Sequence, residues 1–336
     1  MRFGYWMPVF GGWLRNVTDE GMPVSWPYLR DLAVSSERLG FDLSLLAELN
    51  LNDIKGHRAP AADAWTLGAA LAGVTSTLEL MLAVRPNYHA PSLTAKALST
   101  LDLIAPGRVS LNVVSSWWKD EAAQYGMPFD VHDARYRRTE EWLTVLRALL
   151  TQDTVTHHGD LYDLEGAILE PKPSAPVDVY MGGESPRALQ VIAGHGDAYV
   201  MHGDAPEVVG DRIKRISDLR AGTPLRFGLS GYVIVRDTEA EAQAELDRIL
   251  DVTASPEAYA SYQDFVKGSQ LESELSLREY SVSNRGLRAG LVGTPEQVAA
   301  RIRAYEEVGV GLMLLQFSPQ AEEMERFAQQ VIPLFR

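Results

Sequence analysis

Short apolar runs alternate along the chain with longer segments whose apolar residues recur at helical spacing. The apolar runs predict strands at 3–9, 41–47, 78–84, 108–114, 177–181, 197–201, 227–235 and 311–317. Helices are predicted behind these strands, at 26–39, 63–74, 92–104, 133–150, 186–193, 206–219, 239–250 and 321–334. Strands that are nearly continuously apolar, each followed by a helix, indicate a parallel sheet that is covered by helices.

Eight strand–helix units are the repeat of a (β/α)8 TIM barrel, an α/β fold, and we expect residues 1–336 to form a single barrel domain. A doubly wound sheet is the other fold compatible with the pattern. The first strand–helix turn lacks the G-x-G-x-x-G phosphate fingerprint, which favours the barrel. Two segments interrupt the repeat. Residues 155–173 predict an inserted hairpin, and the long polar segment 251–290, which precedes a helix expected near Thr294, predicts a lid.

Composition excludes several classes of function. The 336 residues include 31 Lys and Arg against 45 Asp and Glu, a net charge of −14, which argues against nucleic-acid binding and against docking on an anionic membrane. There is no cysteine, so disulfides, thiolate metal sites and cysteine nucleophiles are excluded. No apolar run approaches the roughly 20 residues of a membrane span, and the amino terminus lacks a signal-peptide pattern, so we expect a cytoplasmic protein.

In a TIM barrel the catalytic groups lie at the carboxyl ends of the strands and in the loops that follow them. Here these positions carry aromatic, amide and hydroxyl side chains and glycines. They include Trp6, Phe10, Asn112, Val114, Ser115, Trp117, Gly183, His202, Ser230 and Tyr232. Such a mouth suits a flat aromatic cofactor.

Two other chemistries are poorly supported. Glycoside hydrolysis needs two opposed carboxylates, and the candidates Glu48 and Glu184 do not form an evident pair. The adjacent His157 and His158 would point to opposite faces of a strand and could not bind one metal ion together. No H-E-x-x-H motif occurs, and we expect no metal site.

The segment 181–186 (MGGESP) places two glycines after a strand, followed by Ser185 and Pro186 at the start of a helix. Exposed backbone N–H groups at such a helix start favour an anion, particularly a phosphate. Ser185 as N-cap with Pro186 at the first helical position would also account for the pattern without a ligand. Both interpretations are compatible with the sequence.

Five longer motifs resemble a known family in their order and wording. They are FGYWMP at 3–8, AVRPNYHAPSLTAKALSTLDLIAPGRVSLNVVSSWWKDE at 83–121, HDARYRRTEEW at 132–142, HHGDLYDLEGAILEPKP at 157–173 and GLVGTPEQVAARI at 290–302. Over nearly the whole chain they are similar to the bacterial luciferase-like flavin monooxygenases, and most similar to the group that contains the dimethylsulfone and alkanesulfonate monooxygenases.

The resemblance implies a cofactor, reduced FMN used with O2, which a separate NAD(P)H-dependent FMN reductase would supply. It implies that Asn112, Val114 and Ser115 line the flavin ring and that Tyr136 reaches the flavin phosphate. By the same resemblance Gly183, Glu184 and Ser185 form the phosphate-binding turn, in agreement with the helix-start argument. A tyrosine in the position of Tyr136 also commonly packs beneath a loop. The family further implies a homodimer or homotetramer.

For the substrate, the resemblance implies a small organosulfur compound whose C–S bond is cleaved, most directly dimethylsulfone going to methanesulfinate and formaldehyde. The alkanesulfonate enzyme uses an arginine and a histidine on its seventh strand, where this chain has Ser230 and Tyr232. Losing a bidentate cation should weaken the binding of an anionic sulfonate. An alkanesulfonate or another small-molecule monooxygenase, an F420-dependent oxidoreductase and a non-catalytic flavin-binding protein stay as alternatives.

The expected catalytic set is His202, Arg288 and Trp117, and the expected substrate contacts are Trp6, Phe10 and Tyr232. A neutral His202 could donate a hydrogen bond to flavin-bound oxygen, or it could be a satisfied pocket residue. We expect Arg288, rather than Arg285, to be brought over the substrate by the lid, although two solvated arginines would fit the sequence as well. The tryptophans and the phenylalanine would keep the site dry.

Overall fold

The computed structural model describes residues 1–220, 222–251 and 281–336. Its strands are β1 (Arg2–Trp6), β2 (Leu43–Leu46), β3 (Glu79–Val84), β4 (Val109–Val113), β5 (Val155–His158), β6 (Asp163–Ala167), β7 (Val179–Met181), β8 (Ala198–His202), β9 (Arg226–Val235), β10 (Leu291–Gly293) and β11 (Leu312–Gln316). Its helices are α1 (Trp26–Leu39), α2 (Ala64–Ala72), α3 (Pro91–Ile104), α4 (Lys119–Gln124), α5 (His132–Thr151), α6 (Pro186–His195), α7 (Pro206–Leu219), α8 (Glu239–Leu250), α9 (Pro295–Glu307) and α10 (Gln320–Gln330). Two 3-10 helices lie at Ser283–Ala289 and Ile332–Phe335.

All strands except β5, β6 and β10 close a parallel barrel in the order β1, β2, β3, β4, β7, β8, β9, β11. Closure is shown by the pairing of β11 with both β9 and β1, where Leu314 is opposite Ser230 on one side and Gly4 on the other. A doubly wound sheet is open at both edges, so that alternative is wrong. The predicted (β/α)8 barrel is confirmed.

Two layers of apolar side chains hold the barrel together. The larger cluster lies between the strands and the surrounding helices. A smaller, separate cluster consists of alternate strand residues, as expected for a filled barrel interior. Its members are Leu43, Leu45, Met81, Tyr180, Ala198, Leu312 and Leu314. Trp6 and Val200 pack on this inner cluster, which therefore forms the floor beneath the mouth of the barrel.

The two interruptions have different outcomes. The inserted hairpin is present, with β5 and β6 antiparallel. Most of the predicted lid segment 251–290 falls at 252–280, outside the described residues. Its described end forms the 3-10 helix Ser283–Ala289 and is tied to the loop after β1, because Arg15 N donates to Ser281 O at 2.9 Å and Ser283 N donates to Trp13 O at 2.9 Å.

Helix boundaries follow ordinary capping chemistry. Helix α1 ends at Gly40, whose φ of 87° is a left-handed value that glycine adopts without strain. The helix expected near Thr294 is α9, which begins with a capping box between Thr294 and Gln297. Within the described residues, no helix combines the length and apolarity that crossing a bilayer requires.

Candidate active site

A cavity of about 340 Å³ opens at the carboxyl ends of the barrel strands, within the size range of small-molecule sites. Most of the predicted site residues line it: Trp6, Phe10, Asn112, Val114, Ser115, Trp117, Tyr136, Gly183, Glu184 and His202. Among the described residues, Ser185, Arg288 and Tyr232 are not part of this lining. The barrel thus brings predicted residues from Trp6 to His202 to one cavity, and the 3-10 helix Ser283–Ala289 contributes Arg285 to the same wall.

The turn 182–185 between β7 and α6 lies against Tyr136. Ser185 is the N-cap of α6, because its side chain accepts a hydrogen bond of 3.1 Å from Ala188 N, and Pro186 follows at the first helical position. At Gly183, with φ of 142°, a Cβ atom would lie 2.6 Å from Ala188 Cβ and 3.4 Å from Tyr136 Oη. The Tyr136 hydroxyl and the start of α6 therefore meet at one place, which is an arrangement suited to a phosphate.

His202 is held in one tautomer. Its Nδ1 lies 3.1 Å from the carbonyl oxygen of Asn284, which can only accept, so Nδ1 carries the hydrogen. Burial, followed by the positive charge of Arg285, holds the pKa of His202 below its ordinary value of 6.5, against the opposing effect of Glu184. The neutral imidazole then has its lone pair on Nε2. Nε2 can therefore only accept a hydrogen bond, whereas one of the two sequence alternatives had a neutral His202 donating one.

Arg285, rather than the predicted Arg288, lies on the cavity wall. Its Nη1 is 3.3 Å from Glu184 Oε2, so an ion pair joins the 3-10 helix to the turn after β7. Asn284 and Arg285 have φ values of 55° and 52°. Left-handed backbone at residues other than glycine is uncommon and concentrates at functional sites. Arg288 lies nearby, because its charge also contributes to the lowered pKa of His202.

Tyr232 does not reach the cavity. It is 1% exposed on β9, and a Cβ atom on Gly286 would lie 2.8 Å from Tyr232 Cβ, so the tyrosine packs beneath the 3-10 helix. Burial raises its pKa above the ordinary value. Ser230 of β9 lines the cavity. Tyr232 lies two residues further along β9, towards the part of the strand that pairs with β10. The expectation that Tyr232 contacts the substrate is not supported by this position.

A buried ionic network under the cavity was not predicted from the sequence. Arg85 is 1% exposed and lies on the wall, where Nη1 and Nη2 bond to the Glu121 carboxylate and Nε lies 3.3 Å from Glu48 Oε2. Tyr88 donates to Glu121 at 3.2 Å, and His89 bonds to the other oxygen of Glu48. Both oxygens of Glu48 are thereby bonded to neighbouring side chains, one to Arg85 and one to His89. Arg85 directly follows the apolar strand β3, and this position could have predicted a buried arginine that needs carboxylate partners.

The two adjacent histidines of β5 are bound to different carboxylates. His157 Nε2 lies 3.4 Å from Glu141 Oε1, and His158 Nδ1 lies 2.6 Å from Asp163 Oδ1. The residues that the structure describes contain no cluster of three or more His, Asp or Glu side chains able to hold a metal ion.

A family model of luciferase-like monooxygenases matches residues 1–311. The chain belongs to this family. It is 34% identical, along its whole length, to two proteins named FMNH(2)-dependent dimethylsulfone monooxygenase, from Pseudomonas fluorescens (strain Pf0-1) and Pseudomonas putida, and it covers 94% and 95% of them. The crystal structure of a long-chain alkane monooxygenase has a similar fold, with a TM-score of 0.82, 20% identity, and coverage of 100% of this chain and 91% of that one.

The cavity residues of this family member fit a flavin mononucleotide. Asn112, Val114 and Ser115 form one wall at the end of β4, and Ser115 Oγ is fixed by Thr139 Oγ1 at 2.9 Å. Gly183 leaves space at the start of α6 where any Cβ atom would collide. β4 and β7 are neighbouring strands of the barrel, so a flavin ring at the end of β4 and its phosphate at the Gly183 turn after β7 would be close together. These contacts stay predictions for the individual residues.

Proposed function

We propose that this protein is an FMNH2-dependent monooxygenase that converts dimethylsulfone to methanesulfinate and formaldehyde. The observation that carries the proposal is the end-to-end match, at 34% identity, to two relatives that bear this activity in their names. A separate NAD(P)H-dependent FMN reductase would supply the reduced cofactor. We also expect a homodimer or homotetramer in the cytoplasm, which light scattering and cell fractionation would test.

The bound reduced FMN would supply the electrons for activating O2, and the protein would bind, orient and exclude water. Asn112, Val114 and Ser115 would hold the ring, while Tyr136 and the 183–185 backbone would hold the phosphate. The dry part of the wall is aromatic. Trp117 is stacked on Trp118 with ring centroids 5.5 Å apart and planes at 7°. An aromatic wall would keep water away from the bound substrate and cofactor, and would thereby limit the release of activated oxygen as hydrogen peroxide.

His202 would complete the C–S cleavage. Reduced FMN and O2 would together insert one oxygen atom into a methyl C–H bond of dimethylsulfone, which would give hydroxymethyl methyl sulfone, while the second oxygen atom would leave as water with the two electrons of the reduced cofactor. His202 Nε2 would accept the hydroxyl proton, the C=O bond of formaldehyde would form, and the C–S electron pair would leave on methanesulfinate. This step requires a neutral histidine, which the lowered pKa of His202 supplies at neutral pH.

A neutral sulfone suits the charges on the wall better than an anionic sulfonate does. Arg85 is bonded to the Glu121 carboxylate, and Arg285 is 3.3 Å from Glu184. Arg15 is 2.9 Å from Asp53, and Arg135, also on the wall, donates to the Asp130 carbonyl oxygen at 3.0 Å. A sulfonate would have to compete with these carboxylates for its counter-ion. We therefore favour dimethylsulfone over an alkanesulfonate.

Anaerobic binding of FMNH2, oxidised FMN and reduced F420, followed by quenching of the seven tryptophans, tests the cofactor. The proposal predicts clear preference for FMNH2, and it predicts that Tyr136→Phe weakens this binding. Preference for F420 would indicate hydride transfer without oxygen. Tighter binding of oxidised FMN would favour a flavin-binding protein without catalysis.

A further inference from the structure

The carboxyl end of the 3-10 helix Ser283–Ala289 lies directly against the backbone of two barrel strands. Gly203 follows β8, and a Cβ atom there would lie 2.6 Å from Ala289 N and 2.7 Å from Ala289 Cβ. A Cβ atom on Gly231 of β9 would lie 2.9 Å from Ala289 Cβ. Non-bonded carbon atoms in contact are normally about 3.5–4.0 Å apart, so a side chain at either glycine would collide with Ala289.

The backbone conformation does not require glycine at these two positions. Neither Gly203 nor Gly231 has a left-handed φ, in contrast to Gly290, whose φ is 66°. A residue with a side chain would therefore not meet the strain that a left-handed φ imposes. The close approach of Ala289 is what excludes a side chain from both positions.

A buried tyrosine holds the same end of the 3-10 helix from the other side. Tyr305 of α9 is fully buried, and its Oη lies 2.7 Å from Ala289 O and 2.5 Å from Asp204 O. The single hydroxyl hydrogen is thus offered to both carbonyl groups, which only accept. Arg301 Nε also donates to Ala289 O, at 3.1 Å. Ala289 is therefore fixed between α9 and the ends of β8 and β9.

This seat determines where the 3-10 helix meets His202. Asn284 O lies 3.1 Å from His202 Nδ1, and a separation of 3.6 Å is no longer a hydrogen bond. A Cβ atom on Gly231 would have to push Ala289 about 0.6 Å away to reach an ordinary contact. A shift of that size, carried along the helix to Asn284, is enough to break the bond to the imidazole.

We propose that Gly203 and Gly231 are positioning residues for His202. By admitting Ala289 to the strand ends, they seat the 3-10 helix so that Asn284 O keeps the hydrogen of the neutral imidazole on Nδ1. The Nε2 lone pair is then free for the substrate proton. The inference rests on the proposed function for the proton-accepting role of His202, whereas its tautomer can be measured without substrate or cofactor.

The test is nitrogen-15 NMR of histidine-labelled protein at pH 8, with the His202 signal among the seven histidines assigned by His202→Gln. Wild type should show the Nδ1–H tautomer alone, and Gly231→Ala should show both tautomers. Gly231→Ala combined with Ala289→Gly should restore the Nδ1–H tautomer, because the colliding Cβ atom of residue 289 is gone. With dimethylsulfone, kcat should fall about 5- to 10-fold in Gly231→Ala, the effect of losing one net hydrogen bond, and should recover in the double variant.

Gly228→Ala is the matched control. Gly228 is a buried glycine on the same strand β9, and its Cβ atom would lie 3.4 Å from Val200 Cγ2, an ordinary contact. This variant should keep the wild-type tautomer and kcat. If Gly231→Ala does not fold, Tyr305→Phe decides, since it removes the hydroxyl that holds Ala289 and adds no atom; it should populate both tautomers.

A single Nδ1–H tautomer in the folded Gly231→Ala variant would overturn the inference. Two tautomers already present in wild type would overturn it too, as would a mixture in Gly231→Ala that Ala289→Gly does not reverse. If the tautomers behave as expected but wild type forms no product from dimethylsulfone, the proposed function fails and the positioning of His202 stands.

Discussion

Replacing Glu121 by glutamine should destabilise the barrel strongly. The carboxylate is fully buried and receives donors from both Arg85 terminal nitrogens, from Tyr88 Oη at 3.2 Å and from Asn50 N at 2.5 Å. Glutamine keeps the side-chain volume but replaces one acceptor oxygen by an NH2 group. This NH2 group, itself a donor, would lie against the donors that now bind the carboxylate. The Arg85 guanidinium, whose side chain is only 2% exposed, would keep Glu48 as its remaining carboxylate at 3.3 Å.

Removing one partner of a buried ion pair costs about 3–5 kcal/mol. Since Glu48 still compensates part of the Arg85 charge, we expect the lower end, about 3 kcal/mol. With an unfolding entropy of about 2.1 cal/mol/K per residue, a chain of 336 residues loses about 1.4 °C of melting temperature per kcal/mol, which predicts a decrease of about 4 °C for Glu121→Gln. Differential scanning fluorimetry and urea unfolding would measure it.

The control is Asp218→Asn, which removes an ion pair of the same kind from the surface. Lys214 Nζ lies 2.8 Å from Asp218 Oδ2, and these side chains are 75% and 65% exposed. Exposed pairs contribute little, so this variant should melt within about 1 °C of wild type. If Glu121→Gln also melts within about 1 °C of wild type, the network does not stabilise the barrel and the reasoning from burial is refuted.

Three further substitutions and one change of pH have defined outcomes. Arg285→Gln should raise the pKa of His202 and move the acid limb of the kcat–pH profile to higher pH; an unmoved limb would contradict the role of Arg285. Because the folded pKa of His202 is below 6.5, the unfolded chain binds more protons, and stability in urea should fall as pH drops below about 6.5. Gly183→Ala should weaken FMNH2 binding at least about tenfold in calorimetry, since its Cβ would lie 2.6 Å from Ala188 Cβ; wild-type affinity would exclude the turn as a phosphate site. Ser185→Ala should cost about 1 kcal/mol in unfolding free energy through loss of the α6 cap, and an unchanged value would contradict the capping role.

The fold was largely predictable because each barrel strand is predominantly apolar and is followed by a helix. The errors fall on elements with weak patterns. Helix α4 has six mostly polar residues, and β10 has three, so neither produces a recognisable period. The 3-10 helix depends on left-handed backbone at Asn284 and Arg285; asparagine tolerates this conformation, but no residue preference predicts it for Arg285. That helix decides which arginine, 285 or 288, lies on the cavity wall.

The site was predictable where strand ends determine it. Asn112 and His202 lie at the carboxyl ends of β4 and β8, and Gly183 lies two residues after β7, so closing the barrel brings them together. The bonds of Arg85 to Glu48 and Glu121 join positions 37 and 36 residues apart and require the three-dimensional arrangement.

Product formation from dimethylsulfone is the decisive measurement. The protein would be combined with an FMN reductase, NADH, FMN, O2 and dimethylsulfone, and formaldehyde and methanesulfinate would be quantified against a reaction with reductase alone. We predict equal amounts of the two products, formed only when the protein, reduced FMN and O2 are all present. NADH consumption that yields hydrogen peroxide but neither organic product would contradict the proposed activity.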